Sequence, residues 1–152
     1  MARPDADLRR HPPRSPREQL AGLYFLARTI DKARAHLAGT LGPYKISPGI
    51  SAYLFEWLGF SEADFIEVVR EAPDDEAVVA WVRAHSDPGG YGEINMRLET
   101  RGIRDAAHRE AVLPAYPLLR DHPDLTNWFA ILELDDRLLY APGGPYGAPA
   151  RT

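Results

Sequence analysis

The chain has no cysteine. That excludes disulfides, thiolate catalysis and cysteine-based zinc sites, and it accords with a reducing compartment. No segment approaches the roughly 18 apolar residues that a membrane helix requires. The opening stretch, MARPDADLRRHPPRS, lacks the apolar core of a secretory signal. The expected address is the cytoplasm, with no membrane partner. Lysine is almost missing as well: Lys32 and Lys45 stand against sixteen arginines.

Positive charge is not in excess either. A net charge of −4 argues against general nucleic-acid binding. The first seventeen residues run the other way, with Arg3, Arg9, Arg10, Arg14 and Arg17 against Asp5 and Asp7. Such an arm either meets a phosphate-bearing or acidic partner, or packs across its own domain or stays mobile. The five histidines are scattered, and none pairs at the i, i+4 spacing of a helical zinc site. Glu133, Asp135 and Asp136 cluster, yet they lack the ligand order of a calcium loop. No metal and no cofactor is expected. GTLGPYK departs from a phosphate-binding loop in spacing, and no G-x-S-x-G occurs.

What the chain does have is helical patterning. Ser15, Pro16 and Glu18 spell a capped helix start. Leu20, Leu23, Tyr24, Ala27, Ile30 and Leu37 then recur at three- and four-residue spacing, and Gly39 and Gly42 supply a stop. The pattern predicts one organising helix from about Pro16 to Ala38. Further helices are expected over about 48–58, from Ser61 as cap to Ala72, and from Asp74 to His85. Two more are expected over Glu93–Thr100 and from near Asp105 to Leu113. PAYPLLRDHPD reads as extended or turn-rich. TNWFAILELDDRLLYAP reads as a helix opening at Thr126, with a hairpin as the alternative.

Arg28, Asp31 and Arg34 stand three apart on the organising helix, so successive members are neighbours on its surface. Asp31 falls at the edge of the apolar face, where a carboxylate must be paired or hydrogen-bonded. Arg28 and Arg34 are its expected partners. Two readings follow. The group is a structural ion-pair network, or it is a carboxylate held in a pocket that accepts a proton or fixes a ligand. Lys32, one residue on, points a quarter-turn or more away. Asn95, a poor helix former inside a helix, is either exposed or a polar group turned inward.

PRSP at Pro13–Pro16, then Gly22, Leu26, Arg28, Ile30–Lys32, Arg34 and Ala35, and Leu37–Tyr44, form a combined motif. It resembles the bacterial domain-of-unknown-function family 5069, and the similarity continues through LFEWLG and DDEAVVAWV. The resemblance implies no activity and no site residues.

The expectation is an all-α, compact single-domain bundle of about six helices. An irregular arm is expected at 1–14, the helical domain at 15–141 and a flexible Gly/Pro-rich tail at 142–152. The expected function is binding, with or without turnover, of a small polar molecule in an interhelical pocket centred on Asp31. Asp31 and Lys32 would be the catalytic groups. Arg28, Arg34, Tyr44, Lys45 and Asn95 would hold the ligand. The alternative is a non-catalytic interaction or structural module.

Overall fold

Every residue from Leu26 to Ala35 is buried, charged ones included. This is the central segment of α1, Leu26–Ala38, in a computed structural model that describes residues 6–148. The expected amphipathic stripe is therefore a helix buried around its whole circumference. The helix also starts ten residues later than its sequence signals imply. Ser15 Oγ accepts from the Arg17 N–H at 3.1 Å, and Glu18 N–H turns back to the Ser15 carbonyl at 3.1 Å. The capping box does not form. Leu20 and Leu23 exchange backbone hydrogen bonds at 3.0 and 2.9 Å across a tight turn. Ala21 and Phe25 take left-handed backbone at φ 59° and 69°, which no helix tolerates. Phe25 is the residue before α1.

The chain divides into two compact units, Met1–Leu98 and Glu99–Thr152. Among the described residues the structure is all-α, with seven α-helices rather than about six and no strand. In the first unit, α1 packs on α2 (Ile50–Leu58) and on α3 (Glu62–Glu71), which in turn packs on α4 (Asp75–Ala84). The core holds Leu23, Phe25, Leu26, Ile30, Leu54, Phe65, Val69, Val78 and Val82. Phe55, Phe60, Phe65 and Trp81 add a chain of ring contacts, with centroids 4.8 to 6.0 Å apart. Thr29 and Ser51, both buried, share a hydroxyl–hydroxyl bond of 2.9 Å between α1 and α2.

Local rules govern the ends of these helices. Ser61 Oγ accepts from the Asp64 N–H at 3.0 Å and caps α3, and Asp74 caps α4 through the Ala77 N–H at 3.0 Å. α2 begins after Gly49, two residues past the Ser47-Pro48 start expected from sequence. α5, Tyr91–Glu99, begins two residues before its expected start, after a 3₁₀ turn at Pro88–Gly90. The arm is irregular as far as it is described, yet it is not loose. Leu8 is fully buried, and its N–H reaches the Thr40 carbonyl at 3.0 Å. Gly42 lies under it, where a Cβ would meet the Leu8 carbonyl at 2.7 Å.

In the second unit, Asp105 caps α6 (Ala106–Val112) through the His108 N–H at 2.8 Å. Pro117–Arg120 forms a 3₁₀ turn within the stretch expected to be extended or turn-rich. Leu118, Leu119 and Ile131 form the core, ringed by Ile103, Val112, Tyr116 and Trp128. The Arg109 guanidinium donates to the carbonyls of Leu119, His122 and Leu125 at 3.1, 2.6 and 3.0 Å. The last element is a helix, not a hairpin: α7, Trp128–Tyr140, capped by Asn127 rather than Thr126. After it, Tyr146 N–H bonds back to the Leu139 carbonyl at 2.8 Å. The outer parts of the expected arm and tail, 1–5 and 149–152, lie outside the described residues.

Candidate functional site: a buried charge network on α1

Asp31 is 7% exposed, and among the described residues both its carboxylate oxygens are taken by one residue, Arg14. The Arg14 backbone N–H donates to Oδ2 at 2.8 Å. Its Nε reaches Oδ1 at 3.2 Å and Oδ2 at 3.1 Å, and its Nη2 reaches Oδ1 at 3.0 Å. The far edge of the same guanidinium donates to Asp75, Nη1 to Oδ2 at 2.7 Å and Nη2 to Oδ1 at 3.3 Å. Asp75 opens α4. Its Oδ1 also lies 2.8 Å from Nη1 of Arg34, one turn along α1 from Asp31. The order is Asp31, Arg14, Asp75, Arg34. It joins the arm, α1 and α4.

The partners expected for Asp31 were Arg28 and Arg34. The partner is instead Arg14, 17 residues upstream. The reason is the late start of α1. With residues 16–25 turned back on themselves, the arm passes beside the helix and brings Arg14 within reach of Asp31.

Charge is held firmly here. Burial opposes ionisation of Asp75, but hydrogen bonding and charge from Arg14, with the charge of Arg34, outweigh it and lower its pKa below the ordinary 3.8. Burial likewise works against the Arg14 cation, and the hydrogen bonds and charges of Asp75 and Asp31 more than reverse that, raising its pKa.

A second grouping sits beside the first. The Arg28 guanidinium lies 5.9 Å from the Phe25 ring centroid and 5.4 Å from that of Tyr44, and its Nη1 donates to the Arg14 carbonyl at 3.3 Å. The Lys32 ammonium lies 5.3 Å from the Phe25 centroid. Arg28 and Lys32 are both buried. The strained turn at Phe25 thus sets one aromatic ring against two cations.

The seven residues singled out from sequence therefore separate. Asp31 and Arg34 belong to the carboxylate network, and Arg28, Lys32 and Tyr44 gather at the aromatic rings. Lys45 is exposed, and no hydrogen bond or ion pair joins it to either group. Asn95 is turned inward and fastens the turn before α1. Its Oδ1 accepts from the Tyr24 N–H at 2.9 Å, and its Nδ2 donates to the Gly22 carbonyl at 2.8 Å. Sequence reasoning missed Arg14 and Asp75. Arg14 lay inside the PRSP motif but was assigned to the arm. Asp75 was hidden beside Asp74, whose capping role used up the visible signal.

Arg34 is the least satisfied member. Its side chain is 2% exposed, and Nε and Nη2 have no hydrogen-bond partner among the described residues. Nη1 is engaged in the 2.8 Å ion pair with Asp75. The network meets solvent at Arg14 and Asp75, whose side chains are 23% and 15% exposed. One concavity of the first unit lies between α3 and α4 and another beside Trp57, Glu93 and Arg97. Neither includes Asp31. Among the described residues no three His, Asp or Glu side chains gather as metal ligands, and no helix is long and apolar enough to cross a membrane.

An all-α protein built on a buried helix with its charges paired across the fold is the class these observations define. The chain belongs to the family described as Domain of unknown function (DUF5069), which matches residues 10–138. No curated protein matches it.

Proposed function

We propose that this protein binds a small molecule through an oxyanion, a carboxylate or phosphate, at the Arg34 guanidinium. One observation carries the reading: Arg34 is buried while Nε and Nη2 lack partners among the described residues. Buried polar groups are nearly always hydrogen-bonded, and an exception calls for a physical reason such as an unseen ion. The planar guanidinium fork matches carboxylate and phosphate oxygens two at a time. Arg14 and Asp75 form the solvent-facing edge of the network, and Asp31 fixes Arg14. In this reading Asp31 positions a neighbour. Turnover with Asp31 as proton acceptor and Lys32 as its companion would require Arg14 to withdraw first.

The test is calorimetry and thermal unfolding of the whole chain at low salt with inorganic phosphate, acetate and glutarate. Stabilisation that rises with concentration is expected, together with its loss in Arg34→Met. Wild-type protein that gives no heat and no stabilisation with any of the three would end the proposal.

The second reading, a non-catalytic module whose charge network is structural, draws on the complete engagement of Asp31 by Arg14.

A further inference from the structure

We infer that the groove between α3 and α4 docks a basic segment of a partner protein that carries one large apolar anchor side chain. The groove is shallow and open to solvent, with a volume of about 370 Å³. Val68, Ala72, Pro73, Ala77 and Trp81 give it an apolar floor, and Glu67 and Glu71 stand on its α3 side. Trp81 forms a fixed wall, because its indole is held between the Phe60 ring at 4.8 Å and the His85 ring at 4.3 Å. A rigid aromatic wall over small residues suits one inserted side chain, the usual form of an interaction anchor.

Charge selects the occupant. Residues 61–81, which carry the groove, contain seven acids and a single arginine. That stretch has a net charge of −6 in a chain whose total is −4, so the remainder is positive. Asp75 is neutralised internally by Arg14 and Arg34. Glu71, Glu76 and Asp64 are exposed, and among the described residues Glu67 pairs with the exposed Arg70 alone, at 3.1 Å. An exposed pair of that kind contributes little and is readily exchanged. Nucleic acid and anionic lipid are repelled by such a face. A second copy placed groove to groove would set the exposed carboxylates of Glu67 and Glu71 against their own copies. A segment with Lys or Arg on both sides of an apolar anchor meets every requirement, and complementary charge speeds its encounter and fixes its register. The groove is small, so binding is weak and transient.

The probe is a ten-residue synthetic peptide with a central Leu-Phe pair flanked by Lys and Arg. Its control is the same peptide with Glu at every basic position. Amide chemical-shift mapping on the full chain should place the basic peptide at Val68, Ala72, Ala77 and Trp81, with the acidic peptide silent. Glu71→Lys should weaken binding about tenfold, and 300 mM salt should weaken it similarly. Glu110→Lys, an exposed site on α6 with the same change in net charge, should leave it within about twofold. Glu67 and Glu71 are exposed, so their reversal leaves the fold intact, which the unchanged amide spectrum verifies. Shifts elsewhere, equal binding of the acidic peptide, equal effects of the two reversals, or self-association through this face would each overturn the assignment.

Discussion

Arg14 holds Asp31 through its backbone as well as its side chain: N–H to Oδ2 at 2.8 Å, guanidinium to both oxygens at 3.0 to 3.2 Å. The backbone contact fixes where the arm runs, and the guanidinium then has one edge left for Asp75. Asp31 is 7% exposed, and Asn in its place takes the charge and one of two acceptor oxygens away from Arg14. Breaking a buried pair from one side costs about 3–5 kcal/mol. Asp31→Asn should lie near the lower end, because Arg14 keeps Asp75. Chemical denaturation at neutral pH measures it. An unchanged or higher stability would mean that the pair does not hold the arm, and would return Asp31 to the list of functional carboxylates.

Asp75 gives the protein an acid-sensitive contribution. Its carboxylate pKa is lowered in the fold from an ordinary 3.8, since Arg14 and Arg34 outweigh the burial that opposes them. A depressed carboxylate stabilises the fold at pH values above its unfolded pKa. That contribution is lost as pH falls through the folded value. The stability difference between wild type and Asp75→Asn should be flat from pH 7 to about 5 and shrink below about 4. Urea midpoints across that range test it. Parallel acid limbs in the two proteins would show that Asp75 is not the group responsible.

Several elements were legible because their causes are local. Ser61, Asp74 and Asp105 each bond a backbone N–H three residues on, which any sequence window reveals. The start of α1 was not legible. Ser15, Pro16 and Glu18 satisfy every local rule, yet left-handed backbone at Ala21, Gly22 and Phe25 prevents a helix there. Those φ angles are set by the packing of Leu23 and Phe25 into the core, which no spacing records. The site failed for a related reason. Asp31 and Arg34 lie one turn apart and invite pairing, but their partners are 17 and 41 residues away. A helix buried on every side has no stripe from which to read orientation.

Asn95 sets the geometry that α1 starts from. Its amide bonds the Tyr24 N–H and the Gly22 carbonyl, so both ends of one side chain hold the strained turn. Asn95→Ala removes this pair of bonds at a half-buried position. Gly22 is exposed and Tyr24 half-buried, so losing such a bond costs about 0.5–1.5 kcal/mol. The variant should be less stable by that amount. Hydrogen exchange should rise first at the amides of 20–25, ahead of α3 and α4. Uniform loosening across the first unit would show instead that the turn has no separate stability.

Arg34 should behave oppositely to Asp31. Its guanidinium is buried, and among the described residues Nη1 pairs with Asp75 while Nε and Nη2 have no hydrogen-bond partner. Methionine has a similar reach and no polar atoms that need partners. Removing one side of a buried ion pair is costly when it leaves the other side uncompensated, but Asp75 keeps Arg14 as a partner at 2.7 Å. Arg34→Met should therefore unfold at the same or higher urea concentration than wild type, while Asp31→Asn unfolds at a lower one. A fold that tolerates Arg34 better when it is removed is carrying it for a reason other than stability, as functional groups often are. A large loss of stability in Arg34→Met would show that its contact with Asp75 is part of the scaffold. The anion site would then lose the observation on which it rests.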